Sequence, residues 1–209
     1  GLSPDRVNNI YTVYFESTKR SDNTQIGGFG IGSKTPLAYI RKTGMGSNDY
    51  DNSFYVITRY EGIEYNYCIY EGSSSPVITL LHSEPTDERN GTEIRIPILQ
   101  SDLSKFEKEI KRQLYYFENL VFEGFNNIDN QYSIVKGEHF LYRGTYYSDN
   151  MHICLGRVAY PIDFNIIGYD NRYSLPIALR FEVGELNVVA SREHLDYNQD
   201  TINLIKAKL

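Results

Sequence analysis

The residues best suited to chemistry in this chain are Gly27-Gly28-Phe29-Gly30-Ile31-Gly32-Ser33-Lys34-Thr35. Glycines let a backbone approach a ligand closely and take positive φ where needed. Successive free N–H groups at a helix start form an anion site, and Lys34 adds positive charge beside them. The chemistry suggested is the seating of a nucleotide's phosphates by Gly27, Gly28, Phe29, Gly30, Ile31, Gly32, Ser33 and Lys34. Two look-alikes fail. A P-loop would need glycine where Ser33 stands and a buried strand before it, whereas Lys19 to Gln25 is polar. The dinucleotide fingerprint would place its last glycine on Ser33 or Thr35. The pattern that fits is G-x-x-G-x-G, at Gly27, Gly30 and Gly32. The plainer alternative is a glycine-rich turn before a helix.

Two further segments bear on the same chemistry. Asn90-Gly91-Thr92 precedes an apolar alternation, and Thr92 offers a hydroxyl at a strand start. By itself a Gly-Thr pair at a strand start reads as an ordinary turn. Ser191-Arg192-Glu193-His194-Leu195 lies between a strand pattern and a helix pattern. The planar fork of Arg192 suits phosphate oxygens and the charge that develops in phosphoryl transfer. Alternatively, Ser191 caps the following helix, with Glu193 and Asp196 favourable to its dipole. His82, His139, His152 and His194 show no metal-ligand spacing, and no pair of carboxylates stands out as an acid and base.

These residues need elements to position them. Leu2 to Thr18 reads as a helix, with Ser3 as its cap and Pro4 in its first turn. Ser33 to Arg41 reads as a second helix. The period then changes to two: Ser53 to Tyr60, Ile63 to Tyr70, Pro76 to His82 and Gly91 to Ile98 form an antiparallel meander. Asp102 to Leu120 carries the clearest helical stripe, Leu103, Phe106, Ile110, Leu114 and Phe117. Shorter strands follow at Val121 to Phe125, Gln131 to Val135, His139 to Tyr142, His152 to Val158, Ile177 to Phe181 and Leu186 to Ala190. Asp196 to Lys208 reads as a closing helix. The expected class is α+β, with one unit over 1–100 and another over 101–209.

Composition sets bounds. The chain has 209 residues, 41% hydrophobic and 23% charged, and a formal net charge of -6. That charge disfavours nonspecific attraction to nucleic acid. No apolar run approaches the ~20 residues of a membrane span. Cys68 and Cys154 sit in strand-like apolar surroundings and read as buried thiols. With no signal peptide in view, a reducing cytoplasm is expected.

The order and spacing of these segments resemble the GHKL ATPases, and most of all the rIIA-like lysis-inhibition proteins of large phages. The likeness rests on Ile26 to Tyr39 and on Gly184-Glu185-Leu186 through Ser191-Arg192-Glu193 to Tyr197. It implies the C-terminal part of a Bergerat-type α/β sandwich followed by an S5-like transducer or middle domain. It implies ATP with Mg2+ as ligand. The glycine box acts as a lid, Thr92 as a phosphate or lid contact, and Arg192 as a γ-phosphate sensor brought in by domain closure. Gly1-Leu2-Ser3 resembles the tail of the first glycine box. The family's adenine-binding aspartate, catalytic glutamate and magnesium-binding asparagine would then lie upstream, and residues 1–209 by themselves are not expected to hydrolyse ATP. Asp196 departs from the glutamine of the family's chaperones. Homodimerisation, a protein partner, a place in the infected cell's cytoplasm or at the periphery of its membrane, and a role in lysis inhibition or cell protection are further implications.

Two other readings stay open. A type II topoisomerase piece shares the layout, but its Gln-Thr-Lys loop is not found here. A non-catalytic interaction module would use the chain's 19 tyrosines as a binding surface.

Overall fold

The computed structural model describes residues 1–11, 13, 32–43, 52–114, 116–117, 120–124, 134–142, 151–170, 175–189 and 194–209. The protein is α+β and divides into two compact units, the first reaching Leu103 and the second running from Ser104 to Leu209.

The first unit is built on four strands, β1 (Ser53–Tyr60), β2 (Ile63–Glu71), β3 (Pro76–Pro85) and β4 (Gly91–Arg95). Alternation in β1 points Phe54, Val56 and Thr58 to one face, where all three are fully buried. The β1–β2 hairpin closes through Glu61 and Gly62, whose φ values of 50° and 77° are both positive. A two-residue turn of that kind matches the twist of its strands.

The sheet is antiparallel, but it is not the meander expected. Its order is β3-β2-β1-β4, so β4 pairs with β1 and not with β3. The connection between β3 and β4 crosses the β1–β2 turn and is fastened there. Thr86 donates its N–H to the Gly62 carbonyl, Asn90 accepts from the Glu61 N–H, and Glu88 pairs with Arg59. These contacts carry the chain to the far edge.

Helical segments cover the buried face. α1 (Pro4–Arg6) is capped by the Ser3 hydroxyl and continues into a π-helical turn, Val7–Tyr11. The expected single helix is therefore widened after one turn, which turns the Ile10 and Tyr11 carbonyls toward side chains of Lys34 and Ser33. A 3-10 turn, Gly32–Lys34, leads into α2 (Thr35–Thr43). Val7, Leu37 and Ile40 pack with Phe54, Val56, Tyr67 and Ile69 to form the core. The Tyr39 hydroxyl donates to Asp102 and accepts from the Leu99 N–H, both at 3.0 Å, which fixes α2 to the segment after β4.

The second unit holds a five-stranded sheet of order β5-β6-β9-β7-β8. Its strands are β5 (Val135–Lys136), β6 (Phe140–Tyr142), β7 (His152–Leu155), β8 (Val158–Pro161) and β9 (Ile177–Phe181), with β7 and β9 parallel. Its helices are α3 (Leu103–Gln113), α4 (Phe164–Ile167) and α5 (Gln199–Lys208). Ile153, Leu155, Leu179 and Phe181 bury one face against α4, α5 and the chain between β9 and α5. Cys154, Ala178 and Leu141 bury the other against Tyr116.

Several expectations shift here for local reasons. The strand expected from His152 to Val158 is a hairpin, because Gly156 takes φ +64° and reverses the chain. α3 stops at Gln113 although the apolar stripe runs on, since Tyr116 is drawn into the core beside Cys154. Val121 to Gly124 is not a strand, and Gly124 has φ +74°. The strand expected at Leu186 to Ala190 is reduced to one bridge, Val188 to Leu195. α4 was not anticipated: Asp163 caps it and Gly168 ends it at φ +69°. α5 begins after its own cap, Asn198, instead of at Asp196.

Both cysteines are free and buried. Burial pushes the Cys154 thiol up to about 12, with Glu182 adding to the rise and Arg180 opposing it.

Adjacent β1 residues test the assigned faces. Phe54 is 0% exposed and Tyr55 37%. Phe54→Ala is expected to cost about 3–5 kcal/mol in urea unfolding and Tyr55→Ala less than about 1 kcal/mol. Equal losses would show that the faces are misassigned.

Candidate functional site

One group of candidate residues gathers at the edge of the first unit where β4 begins. Thr58 and Thr92 are directly paired across β1 and β4. The Thr58 hydroxyl accepts from the Leu2 N–H at 2.8 Å and donates to the Leu2 carbonyl at 2.9 Å. The Leu2 N–H also reaches Thr92 Oγ1 at 3.2 Å, and the two threonine oxygens lie 3.4 Å apart. Thr58 is fully buried, so this hydroxyl is the polar point of an otherwise apolar face. Leaving a buried polar group unpaired costs about 1–3 kcal/mol, which makes the contact a strong positional constraint.

Gly1 is held by the same node. A Cβ placed on it would lie 2.0 Å from the Arg59 carbonyl oxygen and 2.9 Å from that of Gly91. Backbone atoms cannot yield that much, so the position accepts glycine alone. Gly1 and Thr92, far apart in sequence, are thus brought to one place. Thr92 is exposed, and a solute can reach it.

A second group forms at the start of α2. The Ser33 hydroxyl donates to the Tyr11 carbonyl at 2.8 Å, and Lys34 Nζ donates to the Ile10 carbonyl at 3.3 Å. Lys34 is 4% exposed, so it is not a solvated helix-start lysine. Its ammonium stands at the C-terminal end of the π turn, where carbonyl oxygens favour a cation. Burial holds its pKa below the ordinary 10.5. Gly32 differs from Gly1: among the described residues, a Cβ there would meet nothing within 4 Å.

The rest of the candidate set lies outside the described residues: Gly27, Gly28, Phe29, Gly30, Ile31 and Arg192. The second unit therefore contributes no described member. Among the described residues there is no group of three or more His, Cys, Asp or Glu placed to hold a metal ion. Among them, too, no helix is long and apolar enough to cross a membrane.

Thr58 was missed in the sequence. It stands third in the inward alternation Phe54, Val56, Thr58, and a polar residue in a buried register needs a partner. That signal was present, but the partner, a backbone 56 residues away, was not.

Compared with known proteins, the chain matches no protein-family model and no curated protein.

The depressed pKa of Lys34 has a consequence for stability. Between its folded value and 10.5 the unfolded chain holds more protons than the folded one. Stability therefore rises with pH through that window, because the cost of burying the charge is present in full only below it. Lys34→Met removes the effect while leaving the tyrosines common to both proteins. Paired urea titrations are expected to show the wild type gaining on the variant as pH approaches 10.5. A difference that stays flat, or that moves the other way, would contradict the assigned burial.

Proposed function

We propose that this chain belongs to an ATP-binding conformational switch of the GHKL type, similar to the rIIA-like lysis-inhibition proteins. On this reading the first unit is the C-terminal part of a Bergerat-type sandwich and the second is an S5-like transducer. The observation that carries it is the convergence of Gly1 and Thr92. The resemblance makes these the tail of one nucleotide-binding box and the head of another. In the structure they share a hydrogen-bonded node through Leu2 and Thr58. Gly32 gives further support, since no described residue lies within 4 Å of a Cβ there and a ligand's approach would favour glycine.

In this mechanism the chain's own residues bind and orient. Backbone N–H groups from Gly27 to Gly32 replace water around the phosphates, each such contact contributing roughly 0.3–1 kcal/mol. Ser33 and Lys34, tied to the Tyr11 and Ile10 carbonyls, fix the start of α2. Lys34 thus anchors the start of α2 first, and its positive charge is assigned to the phosphates. Thr92 supplies a hydroxyl, and Arg192 is assigned the terminal phosphate. Mg2+ would neutralise phosphate charge, with its ligand expected before Gly1. Ordering of the glycine loop on a triphosphate is the switch, and lysis inhibition or protection of the infected cell is its proposed output.

Calorimetry with a non-hydrolysable ATP analogue and Mg2+ tests this. It is run on the chain and on a longer polypeptide that includes the residues before Gly1. Binding is expected to the longer form, weakened about fivefold to thirtyfold by Thr92→Val. Gly32→Ala, whose methyl meets no described residue within 4 Å, is expected to keep the melting temperature and lose affinity. Binding that both variants leave unchanged, or no binding by a folded longer form, would overturn the reading.

A further inference from the structure

The connection between β3 and β4 ends in Asn90-Gly91, the one Asn-Gly pair in the sequence. Asn90 is exposed and lies just outside β4, whose first residue is Gly91. Its side chain is held at one point, where Oδ1 accepts from the Glu61 N–H at 3.1 Å. Gly91 pairs with Arg59 at the last rung of the β1–β4 ladder. Ladder ends open more readily than ladder middles. Among the described residues, a Cβ on Gly91 would meet the Arg89 carbonyl oxygen alone, at 3.8 Å, and its φ is not positive. Alanine therefore fits at this position.

An asparagine followed by glycine can react with its own backbone. The Gly91 amide nitrogen, having given its proton to water, bonds to Cγ of Asn90. The electron pair of the Cγ–Oδ1 double bond moves onto Oδ1. It returns as the Cγ–Nδ2 bond breaks, and Nδ2 takes up a proton and leaves as ammonia. A five-membered succinimide remains, and water opens it at either carbonyl. Opening at Cγ leaves aspartate. Opening at the main-chain carbonyl of residue 90 leaves iso-aspartate, whose main chain runs through Cβ and Cγ. Each route consumes water and releases ammonia, with no oxidant or reductant. The protein assists at two atoms. Gly91 carries no side chain to hinder its nitrogen as the ring closes. The Glu61 N–H is already bonded to the oxygen that becomes negative, the place of an oxyanion-hole donor.

We propose that Asn90-Gly91 is a self-modification site, which converts with age into aspartate and iso-aspartate and so releases the start of β4. Aspartate keeps an acceptor for the Glu61 N–H. Iso-aspartate displaces it and lengthens the main chain two residues before Thr92. Thr92 then leaves its place opposite Thr58 and beside Leu2. The site stands apart from the nucleotide reading, because the reaction needs no ligand.

The 209-residue chain, aged at neutral pH while folded, provides the test. Trypsin releases Asn90 to Arg95 as one peptide, because arginines stand at 89 and 95. Mass spectrometry of that peptide reads the exchange of NH2 for OH, and labelling by isoaspartyl methyltransferase reads iso-aspartate. Asn90 is expected to convert ahead of every other asparagine, into both products. Gly91→Ala is expected to keep the melting temperature and to slow conversion about tenfold, a barrier rise of about 1.4 kcal/mol. In the iso-aspartate fraction, separated by ion exchange, the Leu2 and Thr92 amides are expected to exchange hydrogen faster than in the fresh chain. Asn90 intact in the folded chain, while a capped peptide of residues 89–95 converts, would overturn the proposal. So would aspartate without iso-aspartate, or Gly91→Ala converting at the wild-type rate, since either points to direct hydrolysis. Unchanged exchange at Leu2 and Thr92 would overturn the release of β4. Should Gly91→Ala lower the melting temperature, the iso-aspartate fraction of the wild type decides alone.

Discussion

The first unit depends on one hydroxyl. Thr58 sits fully buried on the apolar face of β1 and satisfies both the N–H and the carbonyl of Leu2. A buried hydroxyl in such surroundings must be paired, and the backbone that pairs it must come close. Closeness in turn demands glycine beside it, since any Cβ on Gly1 would strike the Arg59 and Gly91 carbonyls. The strand order serves the same end. Only because β4 crosses to the β1 edge does Thr92 stand opposite Thr58 and within reach of Leu2. A simple meander would have left Thr92 on the far side of β3.

The start of α2 is positioned by the same economy of backbone contacts. The π turn after α1 packs Val7 into the core and leaves its last carbonyls for other partners. It presents carbonyls, and Ser33 and Lys34 come to them. Thus α1 and the π turn after it join the two groups of candidate residues, starting beside the Thr58 node and ending at the carbonyls that Ser33 and Lys34 meet. A lysine buried there is costly in its charged form, which is why its proton is held less tightly than usual. Such a residue ties the start of α2 to the π turn.

Much of the fold was legible where local chemistry decides. β1 and β9 fall on their expected residues, because alternation and turn residues bound them on both sides. The Ser3 cap with Pro4 behind it marked the start of α1. What was not legible depended on distant partners. The crossing of β4 rests on contacts of Thr86, Glu88 and Asn90 with the β1–β2 turn. The early end of α3 rests on the burial of Tyr116 beside Cys154. Of the site, Gly1 and Thr92 were picked out as separate motifs, while their junction required Thr58, which no motif contains.

Amide hydrogen exchange with and without a non-hydrolysable ATP analogue bears most directly on the claim that this node and the glycine segment form one ligand site. The account predicts new protection at Leu2, at Thr92 and across Gly32 to Thr35, with none in the five-stranded sheet of the second unit. Protection that leaves those amides unchanged while the analogue binds elsewhere would contradict it.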